Sequence, residues 1–275
     1  MNLDKLVSLS LEEDIFTGDI STDYLDLKDG QAKAKLVAKA DGVIAGLSVA
    51  SLTFQTVDSN TVFTPLVNDG EFVAKGAVIA QIEGLSSSLL KAERVALNFL
   101  QRMSGIASLT HDFVTQLEDT EAKLLDTRKT TPLLRQLQKY AVRMGGGFNH
   151  RFGLYDMIML KENHIRAAGS ITEAVRRVKI NNTSYRVEVE VTNEAELLEA
   201  INCGVDRVML DNMTLDQMKR AVRLYSDKVE LEASGNVTLD TVREIAKTGV
   251  HFISSGALTH SYKSLDISML FNNEE

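Results

Sequence analysis

The sequence predicts an α/β protein with a small sheet in its first hundred residues and an α/β barrel in the remainder. Residues 32–84 contain short β-favouring runs joined by Asp-Gly and Lys-Gly turns, which are typical of antiparallel hairpins. From about residue 120, six candidate strands alternate with segments of helical spacing, as in βα units with a parallel sheet. No Gly-rich dinucleotide fingerprint follows these strands, which favours a barrel over a doubly wound sheet. The barrel is incomplete, because it has fewer than eight units.

Composition limits the class of protein. The chain has 275 residues, a formal net charge of −8, 44% hydrophobic residues and one cysteine. This length suggests about two domains or a barrel with an appendage. The single cysteine excludes an intrachain disulfide and multi-cysteine zinc sites. The acidic balance argues against nucleic acid as the main partner, and we expect a cytoplasmic protein without a signal peptide or membrane segment.

The first hundred residues supply the predicted antiparallel sheet and one helix. Candidate strands cover residues 34–38, 41–46, 62–64 and 69–80. The last of them resembles the hairpins that carry biotin or lipoate. However, Lys75 beside Gly76 lacks the short apolar flanks of a carrier lysine, which favours a structural hairpin. Residues 91–107 have apolar side chains at helical spacing, and the opposite, polar face includes Arg94 and Arg102.

The second part of the chain supplies the alternating units. The candidate strands are residues 123–126, 156–160, 186–191, 207–210, 229–233 and 251–254. The candidate helices are residues 133–144, 172–180, 193–203, 215–226 and 238–247. In such barrels the active site lies at the carboxyl ends of the strands. The residues that directly follow each strand are therefore the candidate site residues.

Basic residues dominate one part of this region. Residues 127–155 contain no Asp or Glu, although the whole chain is acidic. We interpret three of the cations as a solvated helix face: Arg135, Lys139 and Arg143. Arg128 and Lys129, directly after a strand, and residues 149–151, after three glycines, fit a solvated face poorly. Guanidinium groups bind carboxylates and phosphates through paired hydrogen bonds, so these side chains predict an anion site.

A lysine and three acidic residues follow or line the next strands. Lys161 closes the second strand, where it could bind an anion or form a Schiff base. In Val187–Val191, strand alternation turns Glu188 and Glu190 to the barrel interior, with Glu190 nearer the mouth. We interpret Glu188 either as half of a buried ion pair or as a functional group. Glu190 and Asp211, at the mouth, predict binding of substrate hydroxyls or a metal.

The last two strands end in Ser-Gly steps, Ser234–Gly235 and Ser255–Gly256. Loops after the last barrel strands are the usual phosphate site, because glycine lets backbone N–H groups approach an anion closely. His260 follows in the same segment. A basic half, a carboxylate half and a phosphate-type loop pair together predict that an anionic small molecule reacts with a phosphorylated sugar.

These residues together resemble the quinolinate phosphoribosyltransferase family, and the resemblance runs nearly end to end and in order. It rests on Glu13–Thr22, Glu93–Asn98, Gln101–Ala107, Asp126–Thr130, Gly145–Arg151, Leu160–His164, Val187–Val191, Leu210–Asn212, Ala233–Gly235 and Gly256–Ser261. The resemblance implies that residues 1–107 form an N-terminal α/β sandwich, with the tail 262–275 packing on it. It implies that residues 108–261 form an incomplete, TIM-like α/β barrel, the catalytic domain.

The resemblance also implies the reaction and the residues that perform it. Quinolinate and phosphoribosyl pyrophosphate would give nicotinate mononucleotide, pyrophosphate and carbon dioxide, with Mg²⁺, in NAD biosynthesis. The implied quinolinate ligands are Arg94, Arg128, His150, Arg151 and Lys161. The implied ligands of phosphoribosyl pyrophosphate are Lys129, Glu190, Asp211, Ser234, Gly235, Ser255, Gly256 and His260. Lys129, Lys161, Glu190 and Asp211 would be catalytic, and Glu190 and Asp211 would also bind the metal, directly or indirectly.

The resemblance further implies a homodimer whose active sites are shared. Each site would be completed by the N-terminal domain of the neighbouring subunit, which would account for Arg94 on a polar helix face. Three alternatives stay open: a relative with the same fold and another substrate, such as the molybdate-operon proteins, a Schiff-base lyase using Lys161, and a carrier using Lys75. The complete basic set argues against the first of these. No nucleic acid or membrane partner is expected.

Overall fold

A computed structural model of the chain describes residues 2–25, 30–181 and 184–272. The chain divides into two compact units. The first unit combines residues 1–111, 136–146 and 262–275, and the second combines residues 112–135 and 147–261. Residues 136–146 thus group with the first unit, although they lie between strands of the second unit in the sequence.

The described chain alternates helices and strands throughout. The helices are α1 (Leu3–Ile15), α2 (Ile20–Tyr24), α3 (Leu47–Val57), α4 (Ser86–Thr115), α5 (Arg135–Met144), α6 (Glu162–Ala168), α7 (Ile171–Asn181), α8 (Glu194–Asn202), α9 (Leu215–Tyr225), α10 (Val242–Ala246) and α11 (Ala257–His260). The strands are β1 (Gln31–Ala38), β2 (Gly42–Val43), β3 (Val62–Pro65), β4 (Phe72–Val73), β5 (Val78–Leu85), β6 (Lys123–Leu125), β7 (Ile158–Leu160), β8 (Val187–Val191), β9 (Arg207–Asp211), β10 (Glu230–Ser234), β11 (Phe252–Ser254) and β12 (Ile267–Phe271). None of these helices combines the length and the apolar character that a membrane crossing requires.

The first unit contains the predicted antiparallel sheet, which is confirmed. Its strand order is β12-β1-β5-β3, and every neighbouring pair is antiparallel. The core lies between this sheet and the helices α3 and α4, where Leu36, Phe54, Ile82 and Leu100 are almost completely buried. Removing such apolar surface from water is the main force that stabilises the unit.

Two helices of this unit differ from the prediction. Residues 47–57 form α3, although the sequence analysis of residues 32–84 predicts short strands and no helix. Leu47, Ala50 and Phe54 are buried at helical spacing, but the β-branched residues between them hide the period. Lys139 of α5 is fully buried, so its interpretation as a solvated cation is wrong. It lies on the side of α5 that also buries Ala141 and Val142.

The second unit is a parallel sheet of six strands with the order β6-β11-β10-β9-β8-β7. All six strands predicted from the alternation are confirmed, and their ends agree within about two residues, the usual uncertainty of strand boundaries. Within the described chain, β6 and β7 are the edge strands of this sheet. Closure into a TIM-like barrel therefore stays a prediction, whereas the α/β class and the parallel sheet are confirmed.

One face of this sheet is apolar and the other is polar. Val187, Val189 and Val191 are buried on the apolar face. Glu188 is paired in register with Arg207, and Asp211 with Ser234, so the polar residues of β8, β9 and β10 share the opposite face. The predicted orientation of the two glutamates of β8 is consistent with this register. The polar face thus presents charged side chains toward the carboxyl edge of the sheet.

Candidate active site

A buried carboxylate directly after β6 brings the two basic segments together. Asp126 is fully buried, and its Oδ1 accepts the backbone N–H of His150 at 2.8 Å. Its Oδ2 accepts the Nδ2 amide of Asn149 at 2.6 Å. These bonds hold residues 149–151 beside the loop 127–129, so basic residues more than 20 positions apart in the sequence converge.

Two guanidinium groups stand close together in this basic part. Burial and the neighbouring charge of Arg128 lower the pKa of Arg151, although Glu188 and Asp156 act in the opposite direction. The Nε of Arg128 is buried and has no hydrogen-bond partner among the described residues. Two like charges held together, one with an unused buried donor, favour binding of an anion.

Arg135 holds the loop that carries Arg128. Its Nε donates to Thr130 Oγ1 at 3.0 Å, and its Nη1 donates to the carbonyl of Phe152 at 2.9 Å. Its Nη2 donates to the carbonyl of Arg128 at 3.4 Å. The interpretation of Arg135 as a solvated cation is therefore wrong, because loop carbonyls that no strand pairs need donors.

Lys161 and Glu190 form an ion pair at the carboxyl ends of β7 and β8. Lys161 Nζ lies 3.0 Å from Glu190 Oε2, and the lysine side chain is about half exposed. A Schiff-base lysine must present a free amine to a carbonyl, whereas the Nζ of Lys161 donates to Glu190. This pairing argues against the lyase alternative.

A cluster of buried charged residues lies deeper on the polar face. His150 Nε2 is 3.1 Å from Glu188 Oε2 and 3.5 Å from Glu232 Oε2. Arg207 Nη1 donates to Glu232 Oε2 at 3.0 Å. Both carboxylates are fully buried. Glu188 therefore has the buried position that the ion-pair interpretation predicts, with His150 as its partner.

The protons of this cluster are assigned by its geometry. Burial disfavours the charged ring of His150, whereas Glu188 and Glu232 act to raise its pKa. The backbone contact decides between these influences, because the N–H of Arg151 lies 2.7 Å from Nδ1 and a doubly protonated ring could not accept a bond at that atom. We therefore place the ring proton on Nε2 and the further proton of the cluster on Glu188. Burial and the charge of Glu232 raise the pKa of Glu188, which agrees with this assignment.

A bound metal ion would find suitable donors at the edge of the sheet. Glu190 and Asp211 end β8 and β9 on the same face, and both are partly exposed. Mg²⁺ commonly takes one or two carboxylates together with substrate phosphates, so these residues fit it. His150, Glu188 and Glu232 also have donor atoms within 4.8 Å of one another. The guanidinium of Arg207 already lies against that second group, which makes it the poorer cation site.

The loops after β9 and β10 are joined by two asparagines in left-handed conformation. Asn212 has φ 54° and Asn236 has φ 49°. Asn236 Nδ2 donates to Asn212 Oδ1 at 3.1 Å, and Asn212 Nδ2 donates to Asp211 Oδ2 at 2.9 Å. Gly235, with φ 94°, has no room for a side chain, because a Cβ would collide with Asn212. Such strained backbone is common at functional sites.

Gly256 marks the place where two further predicted residues meet. A Cβ on Gly256 would lie 2.9 Å from Lys129 Cδ and 3.0 Å from His260 Nε2. The Oγ1 of Thr259 donates to the carbonyl of Lys129 at 2.9 Å, which ties the two segments together. Ser255 is buried, and its hydroxyl donates to the carbonyl of Val237 at 3.0 Å. Gly256 therefore allows Lys129 and His260 to stand side by side.

We expect Gly256→Ala to weaken binding of the phosphorylated substrate. The added methyl group would displace Lys129 and His260. We therefore expect the KM for the phosphorylated substrate to rise about tenfold, equivalent to about 1.4 kcal/mol. Steady-state kinetics with each substrate varied in turn would measure this change. The KM of the other, anionic substrate is the internal control. An unchanged KM for the phosphorylated substrate would contradict the arrangement.

The structure places all but one of the predicted site residues in the second unit. Arg94 is exposed on α4, in the first unit. Four residues with clear contacts were given no role by the sequence reasoning: Asp126, Arg207, Asn212 and Glu232. For Glu232 a signal existed, since residues 229–233 alternate in the same way as Val187–Val191.

A parallel α/β sheet with two guanidinium groups, two carboxylates and Ser-Gly loops at one end defines an α/β enzyme of anionic substrates. The model of the quinolinate phosphoribosyl transferase C-terminal domain matches residues 106–270, and that of the N-terminal domain matches residues 19–104. The chain belongs to this family. The resemblance seen in the sequence is thus confirmed.

Relatives of similar length support the assignment. A probable nicotinate-nucleotide pyrophosphorylase (carboxylating) of Bacillus subtilis is 45% identical over 270 residues, with 98% of this chain and 93% of the relative covered. A protein of the same name from Synechocystis is 47% identical over 264 residues, covering 94% and 89%. The solved nicotinate-nucleotide pyrophosphorylase of Francisella tularensis has a TM-score of 0.95 at 43% identity, covering 98% and 96%.

Proposed function

We propose that this chain is a decarboxylating phosphoribosyltransferase of NAD biosynthesis. It converts quinolinate and phosphoribosyl pyrophosphate into nicotinate mononucleotide, pyrophosphate and carbon dioxide. The observation that carries this proposal is that Asp126 holds residues 149–151 beside the end of β6, while Lys161 and Glu190 pair at the carboxyl ends of β7 and β8 of the same sheet. The names of the relatives agree with this reaction.

The basic part of the site binds the dicarboxylate. Arg128 and Arg151 supply guanidinium donors, and Lys161 supplies an ammonium group at the end of β7. Paired hydrogen bonds from guanidinium to carboxylate fix the orientation of the pyridine ring as well as its charge. His150 belongs to this set by resemblance, although its side chain is buried. Held in this way, the ring nitrogen can face the sugar.

The acidic part and the loops bind the sugar donor. Lys129, Gly256 and His260 lie together, and the Ser234–Gly235 step follows β10. The attacked anomeric carbon gains oxocarbenium character as pyrophosphate leaves, and the carboxylates of Glu190 and Asp211 stabilise that positive charge. Lys129 and His260 supply donors for the leaving group. Ser255 belongs to this set through its loop, because its own hydroxyl bonds Val237.

Loss of carbon dioxide follows from the first step. Once alkylated, the ring nitrogen is cationic, and it stabilises the electron pair that loss of carbon dioxide leaves on the adjacent ring carbon. A proton, supplied ultimately by solvent, then takes the place of the carboxylate on that carbon. The chain's residues then need only to orient both substrates and exclude water, and no covalent enzyme intermediate is required. Mg²⁺, held by Glu190 and Asp211 directly or through water, would neutralise charge on the pyrophosphate.

The functional unit is a homodimer with shared active sites. Arg94 is exposed on the polar face of α4, in the unit that lacks every other proposed ligand. A guanidinium in that position can serve a neighbouring subunit's dicarboxylate site. In a twofold dimer the arrangement would occur twice. The location in the cytoplasm stays a prediction.

Mixing two inactive variants tests the shared site. At quinolinate concentrations well below the KM of the variants, we expect Arg94→Ala and Arg128→Ala each to lose nearly all activity alone. After unfolding and refolding as a mixture, we expect about one quarter of the wild-type activity, since half of the dimers are mixed and each has one intact site. Refolded single variants are the control. A mixture that stays as inactive as its components would contradict the sharing of sites between subunits.

The proposed reaction is tested by an assay from which each component is left out in turn. The purified chain is incubated with quinolinate, phosphoribosyl pyrophosphate and Mg²⁺, and nicotinate mononucleotide is measured with each component left out in turn. We expect product only from the complete mixture. Binding of quinolinate without turnover would indicate a relative with another substrate, whereas no binding at all would contradict the assignment of the basic site.

A further inference from the structure

We propose that His150 is a positioning residue, which links the buried carboxylates Glu188 and Glu232 to the backbone of Arg151 and so fixes the Arg151 guanidinium. This inference rests on the proposed function, in which Arg151 binds quinolinate. It differs from the direct contact between His150 and quinolinate that the resemblance implies.

Both ring nitrogens of His150 lie against protein groups, Nδ1 through a hydrogen bond and Nε2 through close contacts with two carboxylates. Nε2 lies 3.1 Å from Glu188 Oε2 and 3.5 Å from Glu232 Oε2. Nδ1 accepts the backbone N–H of Arg151 at 2.7 Å. The side chain of His150 is only 5% exposed. An imidazole has two polar atoms, and in this buried ring both of them lie against groups of the protein itself.

Arg151 is consequently held from several directions. The N–H of His150 donates to Asp126 at 2.8 Å, which fixes the backbone just before Arg151. The ring of His150 accepts the N–H of Arg151 itself. The guanidinium Nη1 donates to the carbonyl of Met157 at 3.1 Å. A long arginine side chain loses much rotational freedom when it binds, and these contacts restrict it before the substrate arrives.

The base of the cluster is rigid as well. Arg207 Nη1 donates to Glu232 at 3.0 Å, and its Nη2 and Nε contact Glu230 at 3.0 and 3.1 Å. The guanidinium of Arg207 also lies 3.8 Å from the centroid of the Phe252 ring. Arg207 on β9 thereby fixes Glu232 on β10. Glu232 in turn contacts His150, which bonds the backbone of Arg151 in the proposed site. Such an outer layer of hydrogen bonds orients ligand-binding groups.

Two substitutions of His150 each keep one half of this link. His150→Asn keeps an acceptor near the position of Nδ1 but cannot reach Glu188. His150→Gln places an amide donor near the position of Nε2 but loses the acceptor for Arg151. We expect both to raise the KM for quinolinate by about tenfold to a hundredfold, because a displaced guanidinium binds poorly. We expect little change in the KM for phosphoribosyl pyrophosphate.

His251→Gln is the matched control. His251 Nδ1 also accepts a backbone N–H, that of Leu231 at 3.0 Å, but it precedes β11 and lies away from the carboxyl ends of the strands. We expect His251→Gln to leave both KM values unchanged. Thermal unfolding of every variant checks that each is folded. Equal losses in His150→Gln and His251→Gln would overturn the proposal.

A double-variant cycle separates positioning from direct contact. If His150 acts through Arg151, then His150→Gln costs nothing further in an Arg151→Ala background. If His150 touches quinolinate, its loss remains costly there, and additive losses in kcat/KM would overturn the proposal. The same cycle can be measured as equilibrium binding of quinolinate where turnover is too slow.

A measurement without substrate tests the link even if the proposed reaction fails. In ¹⁵N-histidine-labelled protein, the resonances of His150 are identified as those missing from the His150→Gln spectrum. We expect these resonances to show a proton on Nε2 and none on Nδ1. We also expect the backbone amide hydrogen of Arg151 to exchange slowly with solvent in the wild type. The exchange should be faster in His150→Gln, which lacks the acceptor, and should stay slow in His150→Asn, which keeps it. A proton on Nδ1, or equal exchange in all three proteins, would refute the link. Absence of turnover in the wild type would refute only the proposed reaction.

Discussion

Arg128→Ala is expected to reduce kcat/KM for quinolinate about 100-fold, which corresponds to roughly the 3 kcal/mol that a hydrogen-bonded charged group contributes. The Nε of Arg128 is buried and has no hydrogen-bond partner within the described chain, so this donor is not used by the protein itself. Most of the loss is expected in KM, because the guanidinium binds the substrate before any bond changes. Steady-state kinetics with quinolinate varied at saturating donor measures it.

Arg177→Ala is the control for removal of one arginine. Its side chain is 57% exposed on α7, in the same unit, and it pairs only with Glu173 among the ion pairs of the described residues. Exposed pairs contribute about 0–1 kcal/mol, so neither stability nor kinetics should change much. If Arg128→Ala had wild-type kinetics, the dicarboxylate would have to bind at a place that does not include Arg128.

Glu190→Gln is expected to lower kcat about 10²- to 10³-fold, the usual effect of removing one group that stabilises charge in the transition state. The amide keeps the shape of the side chain but removes the negative charge that faces the developing oxocarbenium ion. The KM for quinolinate should change less than kcat does. Single-turnover kinetics with both substrates bound would separate the chemical step from binding.

Glu194→Gln is the matched control for the loss of one carboxylate. Glu194 begins α8, shortly after β8, and its Oε1 lies 3.1 Å from Arg220 Nε on the neighbouring helix. It has no role in the proposed site, so its kcat should equal that of the wild type. If Glu190→Gln retained full kcat, the carboxylate would not act on the anomeric carbon. The loss of its pairing with Lys161 would then appear only as a change in KM.

The sequence was sufficient where a single local pattern determines the structure. The alternation in Val187–Val191 predicted a strand and the shared face of Glu188 and Glu190, because side chains of a strand point alternately to its two faces. The absence of acidic residues between 127 and 155 predicted a basic segment, and the structure brings its two ends together through Asp126. Residues 47–57 show the limit, since β-branched residues in a helix hide its period.

The contacts of the buried groups could not be predicted in this way. His150 meets Glu188 and Glu232, which lie 38 and 82 positions further along the chain, and only the strand order brings them together. Arg135 and Lys139 look alike in the sequence, yet one supports a loop and the other is buried. Which face of a helix is covered depends on the tertiary fold and not on the charge of its residues.

The coupling of decarboxylation to phosphoribosyl transfer is the central claim, and one measurement tests it most directly. Quinolinate labelled with ¹³C in the carboxylate next to the ring nitrogen is incubated with the enzyme and Mg²⁺, with and without phosphoribosyl pyrophosphate. We expect labelled carbon dioxide only when the donor is present, in amounts equal to the nicotinate mononucleotide formed. Carbon dioxide released without the donor, or a nucleotide that keeps both carboxylates, would contradict the account.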